Sequence, residues 1–211
     1  METHISDTGE SARDQSKEVA RIAAFSDGVF AIAITLLALQ LEVPVSGDLA
    51  TELAGLLPFF VSFAISFLVI GTYWVVHHRL FSVIERYDAR LIWLNMLVLF
   101  FIVVQPFTSS LVGERGDQPV AVAVYAISLA LVGFATSGLA AYALLGHRLC
   151  SAHVTERRAM FSIWRSLVVA LVFLASLLLL PLGTEAVQYA WLLIPLAQYL
   201  VRRRYATRGE A

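Results

Sequence analysis

The sequence predicts an all-α integral membrane protein with six transmembrane helices, and three observations support this prediction. Of its 211 residues, 59% are hydrophobic and only 15% are charged, whereas about a quarter of the residues in an average soluble domain are charged. The mean hydropathy is +0.76, and apolar runs approaching or exceeding the ~20 residues that cross a bilayer recur along the chain. The basic residues are concentrated in alternate connections between these runs. An ordinary soluble domain is therefore excluded.

Hydropathy and helix-breaking residues divide the chain into six apolar segments. These cover residues 18–42, 49–77, 87–112, 119–146, 158–181 and 185–201. The first ends before Pro44 and Gly47, the fourth opens at Pro119, and the fifth ends at Pro181, because proline does not continue a helix. The sixth segment is short for a span, and its aromatic residues are expected to act as interfacial anchors. These aromatic residues are Tyr189, Trp191 and Tyr199.

The polar ends of the chain predict two tails around one membrane domain. Residues 1–17 are mixed in charge and lack an apolar core, so they are expected to form a disordered cytoplasmic tail, with a helix starting near Ser16. Residues 18–201 form the expected six-helix transmembrane domain, and residues 202–211 a basic cytoplasmic tail. In the fourth segment, Gly133, Ser137 and Ala141 recur at helical spacing, which favours close packing within the chain over a subunit interface.

The charge distribution predicts the orientation. With the N-terminus inside, the inner connections and their flanks hold fourteen of the fifteen basic residues, and the outer loops keep only Arg115. The positive-inside rule then places both termini in the cytoplasm, in the cell's inner (plasma) membrane. The connections are short, so no extramembrane domain is expected to hold a soluble active site.

Several chemistries are disfavoured by missing motifs. The sequence has no T-V-G-Y-G filter, no regular arginine ladder, and no H-E-x-x-H or G-x-S-x-G motif. His77 and His78 are adjacent, so they cannot face the same way on a helix to bind a metal. Cys150 is a lone thiol in a loop, for which an incidental role is expected. No enzyme activity, metal site, cofactor or nucleic-acid partner is predicted.

The start of the first segment contains two charged residues that are unusual in an apolar helix. Arg21 and Asp27 are six residues apart and do not share a face as i, i+4 partners would. Asp27 lies roughly 13 Å beyond the expected helix start at ~1.5 Å per residue. It is too short to reach water easily, so it is expected to find a donor on another helix. The candidates at the same depth are Trp74, His77 and Asn95. A network that only joins three helices is the simpler interpretation, and a role in proton transfer is the alternative.

Further along this helix, Ile32, Leu36 and Leu39 share one face, with Thr35 beside them. An apolar stripe on a membrane helix usually meets lipid or another helix, so periodicity alone does not make it a pore.

Three short sequence motifs together resemble a known family. Arg21-x-x-x-Phe25-Ser26-Asp27 opens the first helix, Tyr73-Trp74-x-x-His77-His78 ends the second, and Trp93-x-Asn95 lies in the third. This pattern resembles the transmembrane protein 175 family, the potassium channels of lysosomes and of many bacteria. The resemblance extends in segment count and topology over about residues 18–201.

The resemblance implies a channel without a re-entrant pore loop, in which the first helices of several subunits line the pore. It places the apolar constriction at Ile32, Leu36 and Leu39, and a contribution to ion preference at Thr35. One six-helix unit per chain implies a homotetramer whose ligand is the permeant potassium ion. The resemblance also implies one network on the cytoplasmic side, formed by Arg21, Phe25, Ser26, Asp27, Trp74, His77 and Asn95.

Three function classes follow. The leading hypothesis is a potassium-permeable homotetrameric channel with a hydrophobic gate. The alternative is a proton-coupled transporter or proton-leak pathway that uses Asp27 and His77, because a carboxylate and a histidine within a membrane suit a proton relay. The third is a membrane scaffold that transports nothing.

Overall fold

Helices make up nearly all of the chain. A computed structural model describes residues 3–39, 41 and 48–205. The described residues contain an isolated antiparallel bridge between Ile84 and Cys150 but no strand. Three short 3-10 turns, Leu145–His147, Leu177–Leu182 and Trp191–Leu193, lie between the later helices. The α-helices are α1 (Thr3–Ala38), α2 (Leu49–Gly55), α3 (Leu57–Phe81), α4 (Ala89–Arg115), α5 (Pro119–Leu144), α6 (Glu156–Ser176), α7 (Thr184–Ala190) and α8 (Ile194–Tyr205). The all-α prediction is confirmed.

Five helical stretches within the described residues are long and apolar enough to cross a membrane. They are Arg13–Ala38, Phe63–Phe81, Ala89–Arg115, Pro119–His147 and Glu156–Leu182. They correspond to the first five predicted segments. The region of the sixth segment is helical but divided, since α7 leads through a 3-10 turn into α8. The structure therefore gives five candidate spans followed by an additional helical region.

The two predicted tails differ from the structure. α1 already begins at Thr3, so neither the disordered tail nor the helix start near Ser16 is correct. The side chain of Gln15 accepts a hydrogen bond from the backbone N–H of Tyr87 at 3.2 Å, and Val19 is buried. These contacts hold the start of the helix against the α3–α4 connection, which local polarity could not predict. At the other end, α8 continues through the basic residues to Tyr205, beyond the predicted boundary at residue 201.

The ends of the first segments also differ. α1 ends at Ala38, before the predicted 42; Pro44 and Gly47 lie outside the described residues. The second segment is broken into α2 and α3. Asp48 caps α2 by accepting from the Thr51 N–H at 3.1 Å. α3 then continues to Phe81, four residues past the predicted end.

α5 lies at the centre of the bundle, between α4 on one side and α6 on the other. A β-carbon at Gly133 would lie 2.9 Å from the Ala170 side chain and 2.9 Å from the Ser166 carbonyl oxygen. Ser137 donates to the Ile163 carbonyl at 3.2 Å. The small residues of the fourth segment therefore pack within the chain, as predicted. α1 packs against α3 and α4 on the other side of the bundle.

One end of the bundle carries most of the basic residues, and we call it the basic end. It includes the start of α1, the α3–α4 connection, the α5–α6 connection and the end of α8. Its two connections are joined, since Glu85 N–H donates to the Leu149 carbonyl at 2.9 Å and Ser151 N–H donates to the Val83 carbonyl at 3.0 Å. Cys150 is buried in this pairing, and burial raises the pKa of its thiol. It is therefore poorly suited to act as a nucleophile.

Asp88 fixes the start of α4 at the basic end. Its carboxylate accepts from the Leu91 N–H at 2.8 Å and from the Tyr142 hydroxyl of α5. Arg148 lies over the Tyr142 ring, 4.6 Å from its centroid. Burial alone would raise the pKa of Asp88, but the hydrogen bonds from Tyr142 and Leu91 and the charge of Arg148 outweigh it and hold the pKa below its ordinary value.

Candidate functional site

α1 has one buried face and one exposed face in the protomer. The buried face repeats at helical spacing and contacts α3 and α4. It is formed by Val19, Ser26, Phe30, Ala33 and Leu37. The polar residue among these, Ser26, is fully buried, and the motif residues around it lie at the contact of the three helices.

Asp27 is paired with a tryptophan on α3. The indole Nε1–H of Trp74 donates to Asp27 Oδ1 at 2.8 Å. Of the three donors that the sequence offered to this carboxylate, the structure places Trp74 in hydrogen-bonding contact. This hydrogen bond satisfies one of the two oxygens of the Asp27 carboxyl group.

His77 and Asn95 form a separate chain of hydrogen bonds with Ser26. The Asn95 amide donates to Ser26 Oγ at 2.9 Å, and its carbonyl oxygen lies 2.8 Å from His77 Nε2. Since an amide oxygen only accepts, Nε2 carries the proton in this contact. The Ser26 hydroxyl in turn donates a hydrogen bond to the Ile22 carbonyl at 2.9 Å. His77 and Asn95, the other two candidate donors for Asp27, instead link α3 and α4 to Ser26.

Aromatic packing holds the His77 ring in place. It stacks on Phe81 with ring centroids 4.5 Å apart and lies 5.4 Å from Phe30 of α1. Sequence reasoning did not include either phenylalanine. The i, i+4 spacing of His77 and Phe81 was the available signal, since such residues meet on one helical face.

Arg21 and Phe25 lie apart from these contacts. Arg21 pairs with Glu18 of the same helix at 2.7 Å, and both side chains are substantially exposed. Phe25 is exposed in the protomer. The structure thus brings together Ser26, Asp27, Trp74, His77 and Asn95, and leaves the first two motif residues on or beside the outward face of α1.

A second buried polar cluster, between α3, α4 and α5, was missed by sequence reasoning. Ser66 and Ser109 are hydrogen-bonded to each other, and the Ser128 hydroxyl lies 3.3 Å from Gln105 Oε1 and 3.2 Å from the Thr108 hydroxyl. The available signal was the group of polar residues on one face of an apolar helix around Pro106. Because buried hydroxyls within a membrane need partners, this cluster fixes how α3, α4 and α5 pack.

The predicted constriction residues lie on the outward face of α1. In the protomer, Ile32 is 61% exposed, Leu36 39% and Leu39 78%. The Thr35 side chain is also exposed, and its hydroxyl donates back to the Ile32 carbonyl at 2.9 Å. The polar contacts that hold α1 therefore leave the face carrying these four residues without a partner among the described residues of the protomer.

Comparisons with known proteins agree with this architecture. The family profile "Endosomal/lysosomal potassium channel TMEM175" matches residues 21–106. A potassium channel of Streptomyces collinus is 41% identical over 146 residues, which span 67% of this chain and 69% of that protein. The crystal structure of a lysosomal potassium-selective channel TMEM175 homologue from Chamaesiphon minutus superposes with a TM-score of 0.73 at 30% identity, covering 90% of this chain and 100% of that one.

An animal relative is similar over a shorter stretch. The Gallus gallus endosomal/lysosomal proton channel TMEM175 is 36% identical over 115 residues, 49% of this chain and 22% of that protein. The fold and these relatives identify a multi-pass membrane protein of an ion-channel family rather than an enzyme. The chain belongs to the TMEM175 family.

Proposed function

We propose that this protein is a potassium-permeable channel in which four copies assemble around a pore lined by α1. The observation that carries this proposal is the outward face of α1, which is apolar and exposed in the protomer, in a chain that belongs to the TMEM175 family. The Streptomyces collinus and Chamaesiphon minutus relatives are both described as potassium channels.

The geometry of α1 supports a constriction on this face. Ile32, Leu36 and Leu39 follow i, i+4, i+7 spacing, so four copies would present stacked apolar rings to a central axis. A narrow apolar ring gates by losing its water, which blocks hydrated ions. Thr35 lies beside these rings and supplies a hydroxyl to the same face, where we assign it a role in ion preference.

Small residues next to this face favour close helix approach. Ala24, Gly28 and Ala31 are exposed, and nothing lies within 4 Å of a β-carbon placed at Gly28. Small side chains let membrane helices pack closely. This supports α1 as the helix that meets other subunits, in addition to lining the pore.

The polar network then positions α1. The hydrogen bonds from Trp74 to Asp27 and from Asn95 to Ser26 tie the middle of its candidate span, Arg13–Ala38, to α3 and α4, while the residues from Ile32 onward carry the gate. Neither hydrogen bond involves a residue on the outward face of α1. We therefore assign Ser26, Asp27, Trp74, His77 and Asn95 a structural role, and we place Arg21 and Phe25 at the pore entrance.

We further propose that the basic end faces the cytoplasm, that both termini lie there, and that the protein resides in the plasma membrane. The positive-inside rule supports this orientation. The helical stretch Thr184–Tyr205, roughly 30 Å long at 1.5 Å per residue, supplies the sixth crossing. Residues 18–201 are thus the channel domain, without a re-entrant pore loop.

Potassium flux in liposomes tests the proposal. Purified protein is reconstituted in liposomes with a potassium gradient, and efflux is measured with potassium, sodium or rubidium outside. We expect passive potassium flux that requires no counter-transported ion. Saturating flux that depends on a second ion would contradict a channel, and mass measurement of the intact assembly tests the tetramer separately.

Proton permeation is a second candidate because the Gallus gallus relative is described as a proton channel. No hydrogen bond joins Asp27 to His77 in the described part of the chain, so a direct relay between them lacks support. The same liposomes with a pH gradient and no potassium gradient distinguish the two ions. Proton flux that Asp27→Asn leaves unchanged would remove Asp27 from any proton pathway.

A further inference from the structure

Two adjoining cavities open between α3, α6 and α8 at the basic end, away from α1. Their volumes are about 340 Å³ and about 290 Å³, and both are lined by Arg79, Phe161 and Arg165. Arg158 lines the larger cavity and Arg202 the smaller. The two cavities form one crevice, which we call the arginine crevice, and four arginines from three helices contribute to its walls.

This crevice brings the guanidinium groups of Arg79 and Arg165 close together. Neither cavity is lined by an aspartate or a glutamate among the residues that the structure describes. The ion pairs Lys17–Asp14 and Arg21–Glu18 lie within α1 and involve none of Arg79, Arg165 and Arg202. Arg79 and Arg165 are thus like charges brought together without a carboxylate, which is unfavourable unless an anion binds between them.

The position of Arg165 within α6 raises the free-energy cost of bringing these like charges together. It is half-buried and lies nine residues into α6, or roughly 13 Å along the helix at 1.5 Å per residue. A guanidinium at such a depth in a membrane span needs a partner, and it is a candidate functional group by default. The position is fixed, since Gln198 of α8 donates to the Arg165 carbonyl at 2.9 Å.

Apart from Ser162 and Gln198, the remaining walls of the crevice are largely apolar. Val76 and Leu80 of α3 line the larger cavity, and Pro195 and Tyr199 of α8 line the smaller. Phe161 lies between them and lines both. Paired arginines bind phosphate oxygens well, and apolar walls suit acyl chains. A free phosphate ion would make no use of these walls.

We propose that the arginine crevice binds the phosphate headgroup of an anionic phospholipid, with Arg79, Arg165 and Arg202 on the phosphate and Phe161 and Tyr199 against the acyl chains. Basic pockets between membrane helices on the cytoplasmic side are suited to anionic headgroups. The choice of leaflet rests on the proposed orientation. Binding itself requires neither that orientation nor ion conduction.

Lipid retention by purified protein tests this site. Delipidated protein in detergent is titrated with dioleoyl phosphatidylglycerol or with dioleoyl phosphatidylcholine, and bound lipid is counted by native mass spectrometry. We expect retention of the anionic lipid in preference to the zwitterionic one. Arg79→Gln and Arg202→Gln should each weaken its apparent affinity about fivefold, the equivalent of the ~1 kcal/mol that one basic residue contributes near anionic lipid.

The matched control is the double variant Arg13→Gln/Arg203→Gln, compared with Arg79→Gln/Arg202→Gln. All four side chains are exposed and both variants remove two charges, but Arg13 and Arg203 do not line either cavity. Retention equal in the two double variants, or equal for both lipids, would overturn the proposal. Glycerol 1-phosphate forms the third arm, and its full competition with the lipid would assign the site to a free phosphate compound instead. Because the readout is lipid mass, it fails or succeeds independently of the flux assay.

Discussion

The indole of Trp74 donates a 2.8 Å hydrogen bond to the carboxylate of Asp27, joining α3 to α1 across 47 positions of sequence. Asp27 lies within a candidate membrane span, where a charge without a partner is costly. The hydrogen bond from Trp74 satisfies one oxygen of Asp27 and holds the two helices together.

Trp74→Phe tests this contact. The phenylalanine keeps most of the aromatic packing and removes the N–H, so we expect the free energy of unfolding in detergent to fall by about 1.5 kcal/mol, the low end for a hydrogen bond to a charged group. Trp93→Phe is the control, because Trp93 is 74% exposed. Equal losses in the two variants would show that the indole N–H at Trp74 contributes nothing specific.

The Asn95 network should behave as a coupled unit. Asn95→Ala leaves His77 Nε2 without its acceptor, so we expect a loss of about 1–3 kcal/mol in the free energy of unfolding. Ser26→Ala in the same background should cost less than it does in the wild type, because its bond to Asn95 is already gone. Additive effects in this double-mutant cycle would contradict the coupling.

The proposed gate predicts a specific change in conduction. Leu36→Ala should widen the apolar constriction, so we expect higher single-channel conductance or weaker preference for potassium over sodium in bilayer recordings. Leu97→Ala is the matched control, since Leu97 is 44% exposed in the protomer, similar to Leu36 at 39%, but lies on α4. If Leu36→Ala recordings match those of the wild type, Leu36 does not line the pore.

The close approach of α5 and α6 predicts opposite outcomes for two glycines of one helix. Gly133→Ala places a methyl group 2.9 Å from Ala170 Cβ and from the Ser166 carbonyl oxygen, and such overpacking costs about 1–3 kcal/mol. At Gly138, nothing lies within 4 Å of the added carbon, so alanine should stabilise α5 by up to about 1 kcal/mol. Thermal unfolding in detergent measures both, and a Gly133→Ala protein as stable as the wild type would contradict the tight packing.

The Asp88 cap predicts a pH dependence. Its pKa is lower in the folded protein than in the unfolded chain, so ionised Asp88 stabilises the fold above about pH 4. That contribution is lost as the pH falls through the folded pKa. Asn at position 88 can still cap α4 but does not titrate. The difference in thermal midpoint between wild type and Asp88→Asn should therefore shrink below pH 4; a constant difference would show that the Asp88 charge is not involved.

Much of the fold could be predicted from local sequence. Hydropathy identified the five stretches that are long and apolar enough to cross a membrane, and Pro119 matched the start of α5. α6 ends at Ser176, before the predicted Pro181, which lies inside the 3-10 turn Leu177–Leu182. The prediction failed at the ends. Gln15 lies in a polar stretch that was predicted to be disordered, but it is part of α1. Its hydrogen bond to Tyr87 joins residues 72 positions apart, so local sequence could not predict it.

The candidate site was partly predictable in the same way. A short acid inside an apolar helix requires a donor, so residue type alone indicated that Asp27 would be paired. Which donor it meets depends on the rotation of α3 about its own axis. His77 is three positions from Trp74 in sequence, but it turns toward Asn95, between Phe30 and Phe81.

The sequence by itself determined the class of protein and the five stretches that are long and apolar enough to cross a membrane, because these depend on the transfer of each segment from water to lipid. The tertiary structure decided which polar groups pair, which face of α1 stays without a partner, and that Arg79, Arg165 and Arg202 line one crevice. Those outcomes depend on how helices rotate and pack against one another, and contacts such as that between Gly133 and Ala170 fix them across the bundle. The Arg21–Asp27 motif marks the helix, and packing decides which side of it is available for function.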